Sequence, residues 1–449
     1  MSEPLLNEGV LKREVFGWAL YDFANSGYTT VVLTAVFNAY FVAVVAKGAA
    51  WGTLAWTLAI AASSLIAMLT LPALGAYADR YAAKKKLLAF STVACVLATV
   101  VLAETGRGDL WLAVAAVIVS NVAYTYGESL VAAFLPELAR PASLGRVSGW
   151  GWSFGYLGGM LALGLSLAYV LAAQARGEPS TSFVPVTMLI TAGLYALASL
   201  GTFVLLRERA VPQAERAQAG GAGTGSAAIA SVEGGSLAAL LQSWRTASRY
   251  RDFAWLLACG ACYQAGISVV VALAAVYAEQ ALGFKQADTM MLIFLVNIAA
   301  AAGAFSFGYW QDRIGHKPAL AATLVGWIVM TVMAVAATGP GLFWFAAVIA
   351  GLCMGSSQSA GRAMAAQFSP LERRAEFFGL WTFAARASAV LGLLTYGAVV
   401  WLTDGNQRMA MAVTGLFFVG GLVLLAKVDI ARGQRAARGE VVIDAGFYK

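Results

Sequence analysis

Charge is scarce in this sequence. Only 12% of its 449 residues are Asp, Glu, Lys or Arg, against about one quarter in a soluble globular domain, so water is not the main solvent the chain is built for. Histidine is scarcer still. The single His316 excludes a histidine metal centre and a Ser-His-Asp triad, and we expect it in a loop between spans. The four cysteines, Cys95, Cys259, Cys262 and Cys353, all fall in apolar stretches, where a thiol serves as a small packing residue. Cys259 and Cys262 stand one helical turn apart with no second pair and no histidine nearby, so neither a metal site nor a redox role is expected. No G-x-x-x-x-G-K-[ST] loop is present to cradle ATP, and we expect no cofactor and no enzymatic activity. The opening residues, MSEPLLNEGVLKRE, lack the basic start and short apolar run of a signal peptide.

What the chain does have is hydrophobic residues, 60% of the total. Stretches such as Trp56 to Leu74 and Leu110 to Ala123 run nearly without charge, approaching or filling the roughly 20 residues a bilayer-crossing helix needs. Backbone groups in lipid must bond within their own segment, which forces helices. A barrel would need alternating apolar and polar residues in roughly 10-residue strands, whereas these segments are apolar all round. Charged and Gly- or Pro-containing turns mark about twelve spans, from 16–46 to 408–428. The expected organisation is a tail (1–15), a six-helix bundle (16–206), a flexible linker (207–252) containing AQAGGAGTGSAAIASVEGG, a second six-helix bundle (253–428) and a second tail (429–449). Of the 30 Lys and Arg residues, 23 fall on the side of the termini, five (Lys47, Arg107, Arg176, Lys285, Arg408) opposite, and two, Arg362 and Arg386, inside spans. This bias places both termini in the cytoplasm and accounts for the net charge of +7 without a nucleic-acid partner.

The two halves repeat. GAYADRYAAKK follows span two and GYWQDRIGHKP follows span eight, so a shift of 233 residues lays Gly75, Asp79, Arg80 and Lys84 on Gly308, Asp312, Arg313 and Lys317. A shift of 230 lays Glu128 on Gln358 and Gly149 on Gly379. Agreement of order, loop side and spacing points to duplication of a six-helix unit. In each loop the Asp can bond a neighbouring helix N-terminus or an Arg and so latch one rigid body on another; the plainer reading is positive-inside anchoring by Arg80, Lys84, Lys85 and Lys86.

This doubled G-x-x-x-D-R-x-x-x-K signature resembles that of the major facilitator superfamily, and the resemblance covers essentially the whole chain. YDFANSGY (21–28), AFLPELA (133–139), GRVSGWGWSFGYLGG (145–159) and AEFFG (375–379) narrow it to the branch long called the unknown major facilitators, whose eukaryotic members resemble vacuolar amino-acid effluxers linked to autophagy. The resemblance implies an all-α membrane protein of the major-facilitator fold, with two pseudo-symmetric six-helix bundles and alternating access to a central site.

Polar residues inside the spans are the candidates for that site. Asp22, Asn25, Ser26 and Thr29 share a helix face. A carboxylate there serves a substrate ammonium or a proton, or else locks span one to its neighbour. Asn121, Thr125 and Glu128 share a face of span four beside Tyr124; Glu128 suits proton exchange or a structural hydrogen-bond bridge. Arg362 and Arg386 each need an anionic or carbonyl partner, which Asp22 and Glu128 can supply, or which a substrate carboxylate can replace. We expect Arg386 at mid-membrane in contact with substrate and Arg362 nearer the gate. Gln264, Tyr263 and Asn297 are expected to complete the cavity. Gly151, Gly155 and Gly159 are read as close helix packing, and Trp150 and Trp152 as interfacial anchors as readily as ligand stackers. Together these lead us to expect a secondary transporter for a small polar or zwitterionic metabolite, amino acids first, with protons as a possible coupling ion. It would act as a monomer in the inner membrane of a bacterium, with substrate and lipid as its partners. A lipid-handling or signalling protein on the same fold is the alternative, marked by an apolar lateral opening with basic residues at headgroup depth.

Overall fold

The computed structural model describes residues 4–47, 49, 51–212, 244–245, 247–282 and 286–440; Lys285, most of the expected linker and the end of the second tail lie outside them. Among the described residues, twelve helices are long and apolar enough to cross a membrane. In chain order they are α1 (Lys12–Val45), α2 (Gly52–Arg80), α3 (Lys84–Ala103), α4 (Leu110–Ala132), α5 (Leu144–Ala175), α6 (Ser180–Leu205), α7 (Arg251–Leu282), α8 (Gln286–Ile314), α9 (His316–Ala336), α10 (Pro340–Phe368), α11 (Arg374–Leu402) and α12 (Gln407–Ala426). A short helix, α13 (Ile430–Ala437), follows. With no water to satisfy them, the backbone groups of such apolar runs close on themselves, and among the described residues the only β-pairing is the isolated bridge of Leu6 with Ala139.

Packing follows the repeat. In the first half α1 lies on α5 and α6, α3 on α4 and α6, and α2 on α4. In the second, α7 lies on α11 and α12, α9 on α10 and α12, and α8 on α10, the same arrangement six helices later. The halves meet most extensively along two seams, α2 with α11 and α5 with α8, and also where α10 packs on α5 and α11 on α4. Glycines set the closeness of both seams. A Cβ added to Gly75 would lie 2.4 Å from the Ala375 carbonyl oxygen, and one on Gly379 would lie 3.0 Å from that of Leu71. Across the other seam, a Cβ on Gly149 would lie 2.3 Å from the Ala304 oxygen, and one on Gly308 2.8 Å from that of Gly145. These are the glycines the two sequence shifts align, and they draw the halves together on the face that carries the termini.

Each terminus is strapped to its own half. The Asn7 N–H donates to the Leu138 carbonyl at 3.1 Å, the Arg140 N–H to that of Leu5 at 3.2 Å, and Arg209 forks onto Glu14 at 2.6 and 2.8 Å. In the second half Arg432 of α13 forks onto Asp252 at 2.7 and 2.8 Å, and Gly433 sits under the Phe368 ring. One expectation is corrected here. His316 is not in a loop but opens α9, buried, with Nδ1 2.6 Å from the Gln311 amide nitrogen. The first tail is helical from Lys12, and the second contains α13, because Asp429 caps that helix by accepting the Arg432 N–H.

Candidate functional site

Span one sets one wall of the site. It runs as an α-helix to Tyr28 and then loosens into π-helical turns at Thr29–Ala35 and Phe41–Val45. The β-branched run TTVVLT crowds an ordinary helix, and its hydroxyls turn back on the backbone: Thr30 donates to the Ser26 carbonyl at 2.7 Å and Thr34 to that of Thr29 at 3.0 Å. Composition gave no notice of these π turns, which recur at functional sites. Behind them α5 comes very close, since Cβ atoms on Gly155, Gly158 and Gly159 would all press on α1. That is the packing role read from the glycine spacing.

Between the halves lies a cavity of 580 Å³, the size of sites that enclose small molecules. Asp22, Asn25, Ser26, Thr29, Tyr124 and Glu128 line it from the first half, and Gln264, Asn297, Gln358, Arg362 and Arg386 from the second. Both carboxylates thus come from one half and both guanidiniums from the other. Arg386 donates to Glu128 at 2.9 Å and lies over the Tyr124 ring, 5.5 Å from its centroid. This pair is open to the cavity, with the Arg386 side chain 26% and that of Glu128 35% exposed. Arg362 donates to Asp22 at 2.8 Å, and here the side chains are only 7% and 12% exposed. Its guanidinium also donates to the Ser148 hydroxyl at 3.1 Å and the Ser148 carbonyl at 2.8 Å, between the rings of Trp18 and Trp152. Arg362 is therefore a bolt between halves, whereas Arg386 keeps donors turned to the cavity.

Other polar candidates divide. Gln264 and Gln358 exchange amide hydrogen bonds at 2.7 and 3.3 Å on the cavity wall. Asn297 lines the wall while donating to the Ile293 carbonyl at 2.9 Å. Asn25 accepts the Tyr195 hydroxyl at 2.6 Å. Two expectations fail. Asn121 is buried away from the cavity, donating at 2.6 Å to Ser63 on α2, because its face of α4 is the one packed within the first half. Tyr263 is likewise buried off the cavity, its hydroxyl directed at Gly361 of α10. Trp152 is not an interfacial anchor but a cavity wall stacked on Arg362, while Trp150 reaches α8, donating to the Tyr309 hydroxyl at 3.3 Å. Sequence reasoning missed Gln358 and Trp381 as lining residues. The first was visible as the repeat partner of Glu128, and the second as a large side chain one helical turn before Ala385 and Arg386.

The repeated spacing of the loop motif resolves into two roles. Asp79 accepts the Glu376 N–H at the start of α11, at 3.0 Å. Asp312 accepts those of Gly145 and Arg146 at the start of α5, at 2.9 and 3.2 Å, and pairs with the Arg146 side chain at 2.6 Å. Both carboxylates join the halves. The lysines act within a half instead: Lys84 pairs with Glu137, and Lys317 donates to the Val428 and Ala426 carbonyls at the end of α12 at 2.7 and 3.2 Å. Arg80 lies over Tyr81, and Arg313 is exposed.

The chain matches the family model described as "Vacuole effluxer Atg22 like" over residues 53–145 and 144–438. It is 26% identical to the MFS-type transporter YxiO of Bacillus subtilis (strain 168), over 92% of this chain and 94% of that protein. It is 24% identical to Autophagy-related protein 22 of Yarrowia lipolytica over 71% of this chain and 56% of that protein, so it spans little more than half of the fungal relative. Among solved structures, the proton:xylose symporter XylE aligns with a TM-score of 0.69 at 14% identity, over 92% of this chain and 94% of that one. A bacterial homologue of ferroportin in its outward-facing state aligns with a TM-score of 0.67 at 14% identity, over 93% and 99%.

Proposed function

The chain belongs to the Atg22-like family of MFS-type transporters, and from that premise we propose that it carries a zwitterionic metabolite, amino acids first, by secondary active transport. One observation carries the reading: the cavity sets two carboxylates of one half against two guanidiniums of the other. A zwitterion lying between them presents its ammonium to the first half and its carboxylate to the second, so binding draws the halves together, as alternating access requires. Arg386 is the carboxylate receptor because its donors face the cavity. A substrate carboxylate that takes Arg386 displaces Glu128 from that guanidinium, and this displaced, cavity-facing carboxylate is the group that would link transport to a proton gradient. The lysine and arginine bias supports cytoplasmic termini, and on that orientation the closed face is cytoplasmic and the cavity opens outward.

The test is uptake into proteoliposomes by the purified protein, with labelled amino acids, with and without an imposed pH gradient, beside Arg386→Ala and Glu128→Gln. We expect saturable uptake driven by the gradient, lost in Arg386→Ala, and retained without gradient dependence in Glu128→Gln. Folded protein that takes up no amino acid refutes the substrate class, and uptake indifferent to Arg386 refutes the receptor.

A further inference from the structure

We infer that Asp22 couples the cavity to the gate on the terminal face: a cation captured by Asp22 releases the Arg362 bolt and lets that face open. The inference rests on the zwitterion reading only for the identity of the cation.

The bolt is tightly made. Arg362 reaches from α10 into the first half, where Ser148, Trp18 and Trp152 surround its guanidinium. Trp18 is itself fixed, its indole N–H donating to the Val131 carbonyl at 2.8 Å. Ser148 adjoins Gly149, a close-contact residue of the α5–α8 seam, and its hydroxyl donates at 3.0 Å to the Ser359 carbonyl of α10. Space here is so short that a Cβ on Gly151 would lie 2.4 Å from Asp22 Oδ2 and 2.7 Å from Arg362 Nη2. Among the groups that hold this guanidinium, Asp22 alone carries a charge, and it also lines the cavity. Arg386 differs: its partners Glu128 and Tyr124 both face the cavity and belong to neither close seam.

An Arg stays protonated even when buried. Once a cavity cation neutralises Asp22, the bolted guanidinium is a buried charge without its counter-ion, and removing one partner of such a pair is strongly unfavourable. The unfavourable state is the closed one, because Arg362 regains water when α10 leaves α5. Loading the cavity therefore weakens the contact that holds the opposite gate shut, and by linkage the closed gate lowers the affinity of Asp22 for cations.

The experiment uses the full chain in nanodiscs, its four cysteines replaced, with spin labels at the exposed Lys86 and Arg313, one in each half on the terminal face. Without any ligand, Asp22→Asn should raise the ratio of long to short label distances by about 5- to 150-fold, the usual span of inter-site coupling. Asp22→Asn/Arg362→Gln, which keeps the site neutral, should do the same, so that opening is not the mark of a misfolded buried charge. Butylammonium should lengthen the distance in the parent protein and not in Asp22→Asn; butyrate should leave it short. The proposal is overturned if both variants, monodisperse and melting as the parent does, keep the short distance. It is equally overturned if butylammonium has no effect on the parent, or butyrate opens it. Should amino acids fail to bind while these results hold, the zwitterion reading falls and the coupling stands.

Discussion

The two carboxylates that latch the terminal face are equivalent by sequence, yet the structure makes them unequal, and the inequality has a size. Asp312 takes two backbone N–H bonds and a guanidinium bond. In Asp312→Asn the side chain keeps one accepting oxygen, so the Arg146 pair and one charge-assisted backbone bond are lost. A hydrogen bond to a charged group contributes about 1.5–3 kcal/mol, but the Arg146 side chain is 28% exposed and its pair belongs nearer the surface value of about 1 kcal/mol or less. With partial replacement by the amide, about 2 kcal/mol leaves the closed state, or about a 30-fold shift toward opening. Asp79 has no ion-pair partner among the described residues, and Asn can still accept the Glu376 N–H. Asp79→Asn forfeits only charge assistance, about 1 kcal/mol or about fivefold. The reporter is Ser359→Cys in a cysteine-replaced background. Ser359 is buried between α10 and α5, its hydroxyl making a long 3.4 Å bond to the Gly145 carbonyl, so a soluble maleimide reaches a cysteine there when the seam opens. Alkylation should accelerate about 30-fold with Asp312→Asn and about fivefold with Asp79→Asn. Equal acceleration, or a larger effect from Asp79, refutes the reasoning.

Two further outcomes follow from the packing. Gly149→Ala places a Cβ against the Ala304 carbonyl, so it should hold the α5–α8 seam apart and favour opening at the terminal face; maleimide labelling of Ser359→Cys should rise while the melting temperature stays within a few degrees of the parent. Asn121→Ala removes a buried bond off the cavity, so it should lower stability by about 1–3 kcal/mol in thermal unfolding and leave the KM for uptake unchanged.

The fold was legible because lipid leaves the backbone few choices: apolar runs of bilayer length have to be helices, and the repeated loop motif shows how the helices pair. The site was legible in part. Asp22, Glu128, Arg362 and Arg386 stand out because charge inside a span demands a partner, and they find one another. Asn121 misled because a polar residue on a span is equally at home between two helices of one half, and helical spacing does not say which neighbour its face meets. Trp18 and Ser148 gave no signal at all, since their importance comes from an arginine more than two hundred residues away in the chain.

The straps that tie each terminus to its own half constrain the mechanics of the whole. The leading residues knit to the α4–α5 turn, and α13 knits to Asp252 and Phe368. Neither set of these bonds crosses a seam. On the proposed rocking mechanism these straps are not stretched, and among the described residues resistance comes from contacts that do cross between the halves: the seams, the two latches, the charge pairs and bonds such as those of Ser148 with Ser359 and Gln367 with Pro141. On that mechanism each half would move as a stiffened plate, so cutting either strap should soften one plate without changing how the plates fit together.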